Sequence, residues 1–159
     1  MGSEKFLGRY FHSIDDKARV AIPHKFRTSL GGDNQNRVVA TLSSNPKYSY
    51  LDIYPAEEWD AILERILDMD TEGEEALEEH EALLANYVHP AQELEIDKQG
   101  RILLPQEHRD FAGIEKEVVY TGDGSKFRLW SKPQWEKYDA AMRQARGKIR
   151  GIPRRHAVK

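Results

Sequence analysis

A ten-residue segment is written twice in this chain of 159 residues: IDDKARVAIP, Ile14 to Pro23, and IDKQGRILLP, Ile96 to Pro105. An internal repeat constrains a fold more than any local pattern does, because two similar supersecondary units must be housed together. Extending the alignment sets HSIDDKARVAIPHKFR (His12 to Arg27) against LEIDKQGRILLPQEHR (Leu94 to Arg109). It pairs Ile14 with Ile96, Asp15 with Asp97, Arg19 with Arg101, Pro23 with Pro105 and Arg27 with Arg109. Further on, Gly31 falls opposite Gly113, RVVAT (37–41) opposite EVVYT (117–121), and YLDIYPAEEW (50–59) opposite KFRLWSKPQW (126–135). Each copy reads in one order: strand, polar Asp-to-Arg turn, strand, short helix opened by proline, strand, alternating strand, helix.

Local signals support each element. Val20, Ile22 and Ile102, Leu104 share a strand face by period-two alternation, and Pro23 and Pro105 suit a first helical turn, where a missing N–H costs nothing. Gly31-Gly32 and Gly113 are helix stops. Leu51, Ile53 and Phe127, Leu129 alternate with polar residues as half-buried strands do, and Thr121-Gly-Asp-Gly124 is a turn between strands. Ser131 to Gln134 has capping-box form and opens a helix with Trp135, Tyr138 and Met142 on one stripe. A unit of about sixty residues is marginal alone. The two halves are therefore expected to pair across a pseudo-twofold axis and bury their apolar strand faces in one barrel.

The expected fold is mainly β with helices. Its parts are a first repeat at 6–55, a helical insert at 56–90, a second repeat at 91–142 and a basic tail at 143–159. In the insert Trp59, Ile62, Leu63, Ile66 and Leu67 recur at helical spacing, and so do Ala76, Leu77, Leu83, Leu84, Tyr87 and Val88 before His89-Pro90. That is a helical hairpin, acidic outside and apolar inside. It can pack on its own barrel and also form a subunit interface.

Net charge is −3, which on its face argues against a nucleic-acid partner. The average conceals a segregation: residues 56–82 hold twelve acids against one base, Arg65, a local net of −11 that leaves +8 on the other 132 residues. A basic face is available elsewhere. There is no cysteine, hence no disulfide or thiolate metal site, and a reducing cytoplasmic compartment is expected. No run of eighteen apolar residues or signal-type segment is present, so no membrane partner is expected.

The duplicated turn is the candidate functional element. A carboxylate four residues before an arginine can hold the guanidinium by a charge-assisted bond and aim its remaining donors outward, toward guanine O6 and N7 or toward phosphate. The candidate residues are Asp15, Lys17 and Arg19 in the first copy and Asp97, Lys98 and Arg101 in the second. One such turn alone reads as an ordinary hairpin ion pair; two at related positions present two arginines on one edge, as readers of repeated half-sites do. Other chemistry finds little support. His80-Glu81-Ala82-Leu83-Leu84 has leucine where a zincin needs its second histidine, and the six histidines (12, 24, 80, 89, 108, 156) lack ligand spacing, most of them being expected at the surface or at helix ends. No phosphate-binding glycine loop or nucleophile elbow occurs, so no metal, cofactor, small-molecule substrate or enzymatic activity is expected.

The tandem IDDKARVAIP and IDKQGRILLP, the opening FLGRYFHSID and the proline after each strand resemble the MraZ family of bacterial transcriptional regulators, related to the AbrB and MazE group. The resemblance spans Phe6 to about Met142. It implies a double-split β-barrel built by two halves of one chain, closed rings of several subunits, and binding to direct repeats in the promoter of the division and cell-wall gene cluster. It makes Arg19 and Arg101 the DNA-contacting side chains. One departure stands out: Ala18 occupies the position where the family usually has glycine, as Gly100 does here, and would be strained there if φ must be positive. The resulting expectation is a nucleoid-associated repressor acting on double-stranded promoter DNA as a homo-oligomeric ring. An antitoxin-like protein that neutralises a toxin, and a structural or adaptor ring, remain alternatives. The tail GKIRGIPRRHAVK, with Lys148, Arg150, Arg154, Arg155 and Lys159, reads either as a solvated extension or as a non-specific DNA contact, extended by Arg143 and Arg146.

Overall fold

The computed structural model describes residues 5–31 and 36–154. Its chain order is β1 (Arg9–Ser13), β2 (Arg19–Ala21), α1 (His24–Ser29), β3 (Arg37–Leu42), β4 (Leu51–Pro55), α2 (Ala56–Leu67) and α3 (Glu74–Leu83), with a π-helical turn at Leu84–Val88. Then come β5 (Gln92–Glu95), β6 (Arg101–Leu103), α4 (Gln106–Ala112), β7 (Glu117–Gly122), β8 (Phe127–Ser131) and α5 (Lys132–Gln144), closed by a 3₁₀ turn at Ala145–Lys148. Pro23 and Pro105 stand immediately before α1 and α4, one residue earlier than expected. Gly113 ends α4 in the left-handed conformation, and Ser131 caps α5 by accepting from the Gln134 amide at 3.2 Å. Gly32 lies outside the described residues.

The strands form a six-stranded antiparallel sheet, β1-β7-β8-β4-β3-β5, and a separate two-stranded ribbon, β2-β6. Replacing each strand by the one aligned with it in sequence reverses the six-strand order onto itself. The registers correspond as well: Val38 faces Leu94 and Val118 faces His12, residues matched by the alignment. Hydrogen bonding closes no barrel. β1 and β5 remain the sheet's two edges, and β2 and β6, three residues each, pair with one another apart from the six-stranded sheet after the polar turns redirect the chain.

Instead the ribbon covers one face of the sheet. Val20, Ile22, Ile102 and Leu104 from the ribbon strands and the residues just after them pack with Val38, Ala40, Leu51, Ile53, Val118, Tyr120, Phe127 and Leu129 from the sheet, while Phe26 and Ala112 come from α1 and α4. Phe26 stacks at 4.7 Å from Phe127 and 5.3 Å from Phe6. Each such fully buried aromatic contributes roughly 1.5–3 kcal/mol.

The sheet's other face is also covered, which corrects the expectation of half-buried strands. In β4, Leu51, Asp52, Ile53 and Tyr54 are all buried. Tyr54 and Val39 lie under Trp59, Ile66 and Tyr87 of the insert, and Tyr50, Val119 and Trp130 lie under Trp135 and Tyr138 of α5. The insert packs on its own sheet through α2 and the π-helical turn. Leu67, Leu77 and Met142, expected on inward stripes, are exposed, and α3 buries no residue at all. The stripe fails there because α3 makes its main contacts with the turn that follows it.

A polar cluster pins the insert in place. Tyr87 donates to the buried carboxylate of Asp52 at 2.5 Å and accepts from Tyr54 at 2.6 Å, while Thr41 donates to the Tyr87 carbonyl at 2.6 Å. Lys126 approaches Asp52 at 3.2 Å from the β7-β8 turn. Burial, reinforced by the Asp52 charge, pushes the Tyr87 hydroxyl far above its ordinary range, so it acts as a permanent donor. His108 is likewise fully buried, its Nε2 2.8 Å from the Pro90 carbonyl, an exception to the surface or helix-end position expected of most histidines. Tyr87→Phe removes a donor from a buried carboxylate and is expected to lower the unfolding free energy by about 1–3 kcal/mol, measurable by urea denaturation.

Candidate functional site

Each Asp-to-Arg turn is a three-residue hairpin loop closed by the same bonds. In the first, the Asp15 amide donates to the Arg19 carbonyl at 2.9 Å and the Ala18 amide to the Asp15 carbonyl at 3.1 Å; in the second, Asp97 and Gly100 repeat both contacts at 2.9 Å. The aspartate divides its two oxygens. Asp15 Oδ1 accepts the amides of Lys17 and Arg19, both at 2.9 Å, and Oδ2 accepts Arg19 Nε at 3.2 Å. Asp97 does the same with the amides of Gln99 and Arg101 at 2.9 Å and with Arg101 Nε at 3.1 Å. The hydrogen bonds take only Nε, so the terminal nitrogens keep donors for an external acceptor, Arg101 Nη1 alone lying near a second carboxylate, Asp15.

These bonds also set the charge state. Backbone donation from the arginine's own amide is the largest cause holding Asp15 and Asp97 below the ordinary carboxylate value of 3.8; desolvation opposes it, and the second amide and the arginine side chain add to it. The carboxylates thus stay ionised in any ordinary buffer.

The loops require a left-handed residue at their last position, immediately before the arginine. Gly100 has φ +80° and Ala18 has φ +64°, so the first turn keeps the same conformation and Ala18 carries the strain. The loop does not reshape itself around alanine, because its carbonyl is fixed from outside. Leu104 N–H donates to the Ala18 carbonyl and Ile22 N–H to the Gly100 carbonyl, each at 2.9 Å. Each turn is therefore held by the strand that follows the other turn.

The ribbon decides where the arginines point. Its pairs are Arg19 with Leu103, Val20 with Ile102 and Ala21 with Arg101. Val20 and Ile102 face the core at 0% exposure, which puts Arg19, Ala21, Arg101 and Leu103 together on the outer face. The Arg19 and Arg101 side chains retain 34% and 28% of their surface. Arg101 Nη1 also reaches to 3.9 Å from Asp15 Oδ2, tying one turn to the other. Lys17 and Lys98 are exposed beside them at non-equivalent loop positions: Lys17 corresponds to Gln99, and Lys98 to Asp16.

Asp15, Arg19, Asp97 and Arg101 are thus brought together, and Lys17 and Lys98 are exposed on the adjoining turns. Sequence reasoning misses the Arg101–Asp15 contact and the shared outer face with Ala21 and exposed Leu103. The alternation Arg-Val-Ala and Arg-Ile-Leu carries the facing, but only the strand register reveals who sits beside whom. Of the tail, Lys148, Arg150 and Arg154 are exposed, Arg143 pairs with Asp139 at 2.9 Å, and Arg155, His156 and Lys159 lie outside the described residues. Among the described residues no group of histidine and carboxylate side chains could hold a metal ion, and no helix is long and apolar enough to cross a membrane.

Two outcomes are expected from this geometry. Ala18→Gly relieves the left-handed strain and raises stability by about 0.5–1 kcal/mol net of the added unfolded-state freedom, while Gly100→Ala lowers it, both readable as denaturation midpoints. Because the folded aspartates titrate below 3.8, their stabilisation is fully present above that value and is lost as pH falls through the lowered one. Carboxyl carbon NMR titration is expected to show both midpoints displaced to lower pH than those of aspartates in the unfolded chain.

Comparison with known proteins agrees with the resemblance noted in the sequence. The model of the family described as "MraZ protein, putative antitoxin-like" matches residues 6–79 and 88–148. Proteins named transcriptional regulator MraZ are similar to this chain in Lachnoclostridium phytofermentans (37% identity, covering 82% of this chain and 84% of the relative), Pelotomaculum thermopropionicum (39%, 84% and 84%) and Clostridium tetani (35%, 86% and 88%). The solution structure of PHS018 from Pyrococcus horikoshii aligns at a TM-score of 0.35 and 13% identity over 76% of this chain and 92% of that one, too distant to bear on the fold. With the family model covering most of its length and these relatives matched over more than four-fifths of theirs, the chain belongs to the MraZ family of transcriptional regulators.

Proposed function

We propose that this protein is a sequence-specific regulator that binds double-stranded promoter DNA through the outer face of the β2-β6 ribbon. The observation that carries this reading is the pair of guanidiniums on that face, each fixed at Nε by its own aspartate and each with terminal nitrogens that make no hydrogen bond among the described residues. A planar fork held in this way matches the O6 and N7 acceptors of guanine in a major groove, and a contact of that kind discriminates by about 1–3 kcal/mol per base pair. Arg19 and Arg101 are the base-reading residues, Asp15 and Asp97 orient them, and Lys17 and Lys98 neutralise phosphates.

The finer reading follows the family. The copies at 6–55 and 91–142 form the two halves of a split barrel, 56–90 is an acidic insert, and 143–159 is a basic extension. Several chains assemble as a ring that presents their ribbons to direct repeats in the promoter of the division and cell-wall gene cluster, and the protein acts there as a nucleoid-associated repressor. One chain with two arginines binds weakly; linked sites on successive repeats gain through effective concentration.

An antitoxin-like role has one specific observation in its favour: α3 leaves every side chain at least partly exposed, including Leu77 amid the helix's glutamates. Recovery of a stoichiometric small protein on the native protein from its host would support that role.

The deciding experiment is gel retardation across the DNA upstream of the protein's own gene cluster, with random duplex as competitor. The double variant Arg19→Ala/Arg101→Ala is expected to lose specific retardation while its circular dichroism and oligomer mass are unchanged. Retardation equal to that of the unaltered protein removes the mechanism. Binding by the native protein is expected to weaken steeply with added salt, as counterion release requires.

A further inference from the structure

Arg27 of α1 differs from its sequence counterpart in α4. Arg109 is turned back on its own helix, donating from Nε to the Leu104 carbonyl and from Nη2 to Gln106 Oε1, both at 3.2 Å. Arg27 instead crosses to the other copy and lies on the second turn. A Cβ placed on Gly100 would stand 2.5 Å from Arg27 Nη1, 2.7 Å from Cζ and 2.9 Å from Nε, so the guanidinium fills the space a side chain at 100 would occupy. Gly100 is buried beneath it, and Arg27 itself is half-buried. Among the described residues, no carboxylate or carbonyl pairs with the Arg27 side chain.

The Arg27 nitrogens are not among the buried polar atoms left without a partner, so they face water and are open to an external acceptor. No acceptor is supplied by the turn below, since Asp97 Oδ1 is filled by two amides and Oδ2 by Arg101. We infer that Arg27 is a phosphate-binding residue that serves the second turn, gripping the backbone beside the base that Arg101 reads, and that the first turn has no such clamp. The inference rests on the DNA-binding reading above. It makes the two turns of one chain unequal: Gly100 gives Arg27 its seat, whereas Ala18 carries a methyl group at the corresponding point and Arg109 is engaged elsewhere. A phosphate contact adds affinity without reading sequence.

The test compares Arg27→Gln with Arg109→Gln in the full-length protein, measuring affinity for promoter duplex and for a scrambled duplex over a range of salt. Arg27→Gln is expected to weaken both duplexes by the same factor, leave their ratio intact, and reduce the slope of log K against log salt by about 0.9 for each phosphate that Arg27 neutralises in the native complex. Arg109→Gln is expected to leave the slope unchanged. An unchanged slope in Arg27→Gln, or equal reductions in both variants, overturns the proposal. Arg101→Ala in the same assay separates the two levels: loss of the promoter preference there with an unaltered slope in Arg27→Gln refutes only the clamp, while a retained preference refutes the reading beneath it. If Arg27→Gln does not fold, arginine Nε NMR of the native protein titrated with scrambled duplex decides the matter. A shift at Arg27 with Arg109 unmoved supports the clamp, and an unmoved Arg27 overturns it.

Discussion

Everything on the candidate face depends on the antiparallel pairing of two three-residue strands, β2 and β6. Neither could persist alone, since an isolated pair of such short strands has little to hold it in water. They persist because Val20 and Ile102 are driven into the sheet and because each turn's carbonyl is bonded by the strand beyond the other turn. Interleaving reaches the main sheet too, where β1 bonds β7, β3 bonds β5 and β4 bonds β8. The two copies are thus halves of one structure, and its sequence-distant pairings mean that the local hairpins β3-β4 and β7-β8 can form before the ribbon can.

The electrostatics of the turns do not amount to a simple basic patch. Each arginine has an aspartate beside it, so Asp15, Arg19, Asp97 and Arg101 sum to zero. What the arrangement supplies is direction: the carboxylate takes Nε and two backbone amides, which fixes the orientation of the fork and leaves its terminal nitrogens without a hydrogen bond among the described residues. Surplus charge comes from Lys17, Lys98 and Arg27, one of which the exposed Asp16 of the first turn offsets. The acids that give the chain its negative total are concentrated in the insert, where α3 buries none of its side chains.

Much of this is legible in the sequence. The repeat in IDDKARVAIP and IDKQGRILLP locates both turns, both ribbon strands and both short helices, because polar turns, alternation and proline are local signals. Covering of the sheet's second face is not legible: Asp52 and Tyr54 look solvent-facing in β4 until the insert and α5 are seated over them. Asp52 is tolerated there by Tyr87 and Lys126, partners 35 and 74 residues away along the chain, a separation that no periodicity reports. The place of Arg27 is hidden for the same reason. Its alignment with Arg109 suggests equivalence, and the difference arises from what lies across the ribbon, a glycine in one case and an alanine in the other.

The reciprocal bonding of the turns restricts how such a protein can diversify. Lengthening or shortening one loop would displace a carbonyl that anchors the opposite arm, and both tips would lose their spacing together. If the ribbon reads DNA as proposed, variation in the target must therefore arise by exchanging side chains on a frame of constant length, so that the distance between the two tips stays fixed while their chemistry changes.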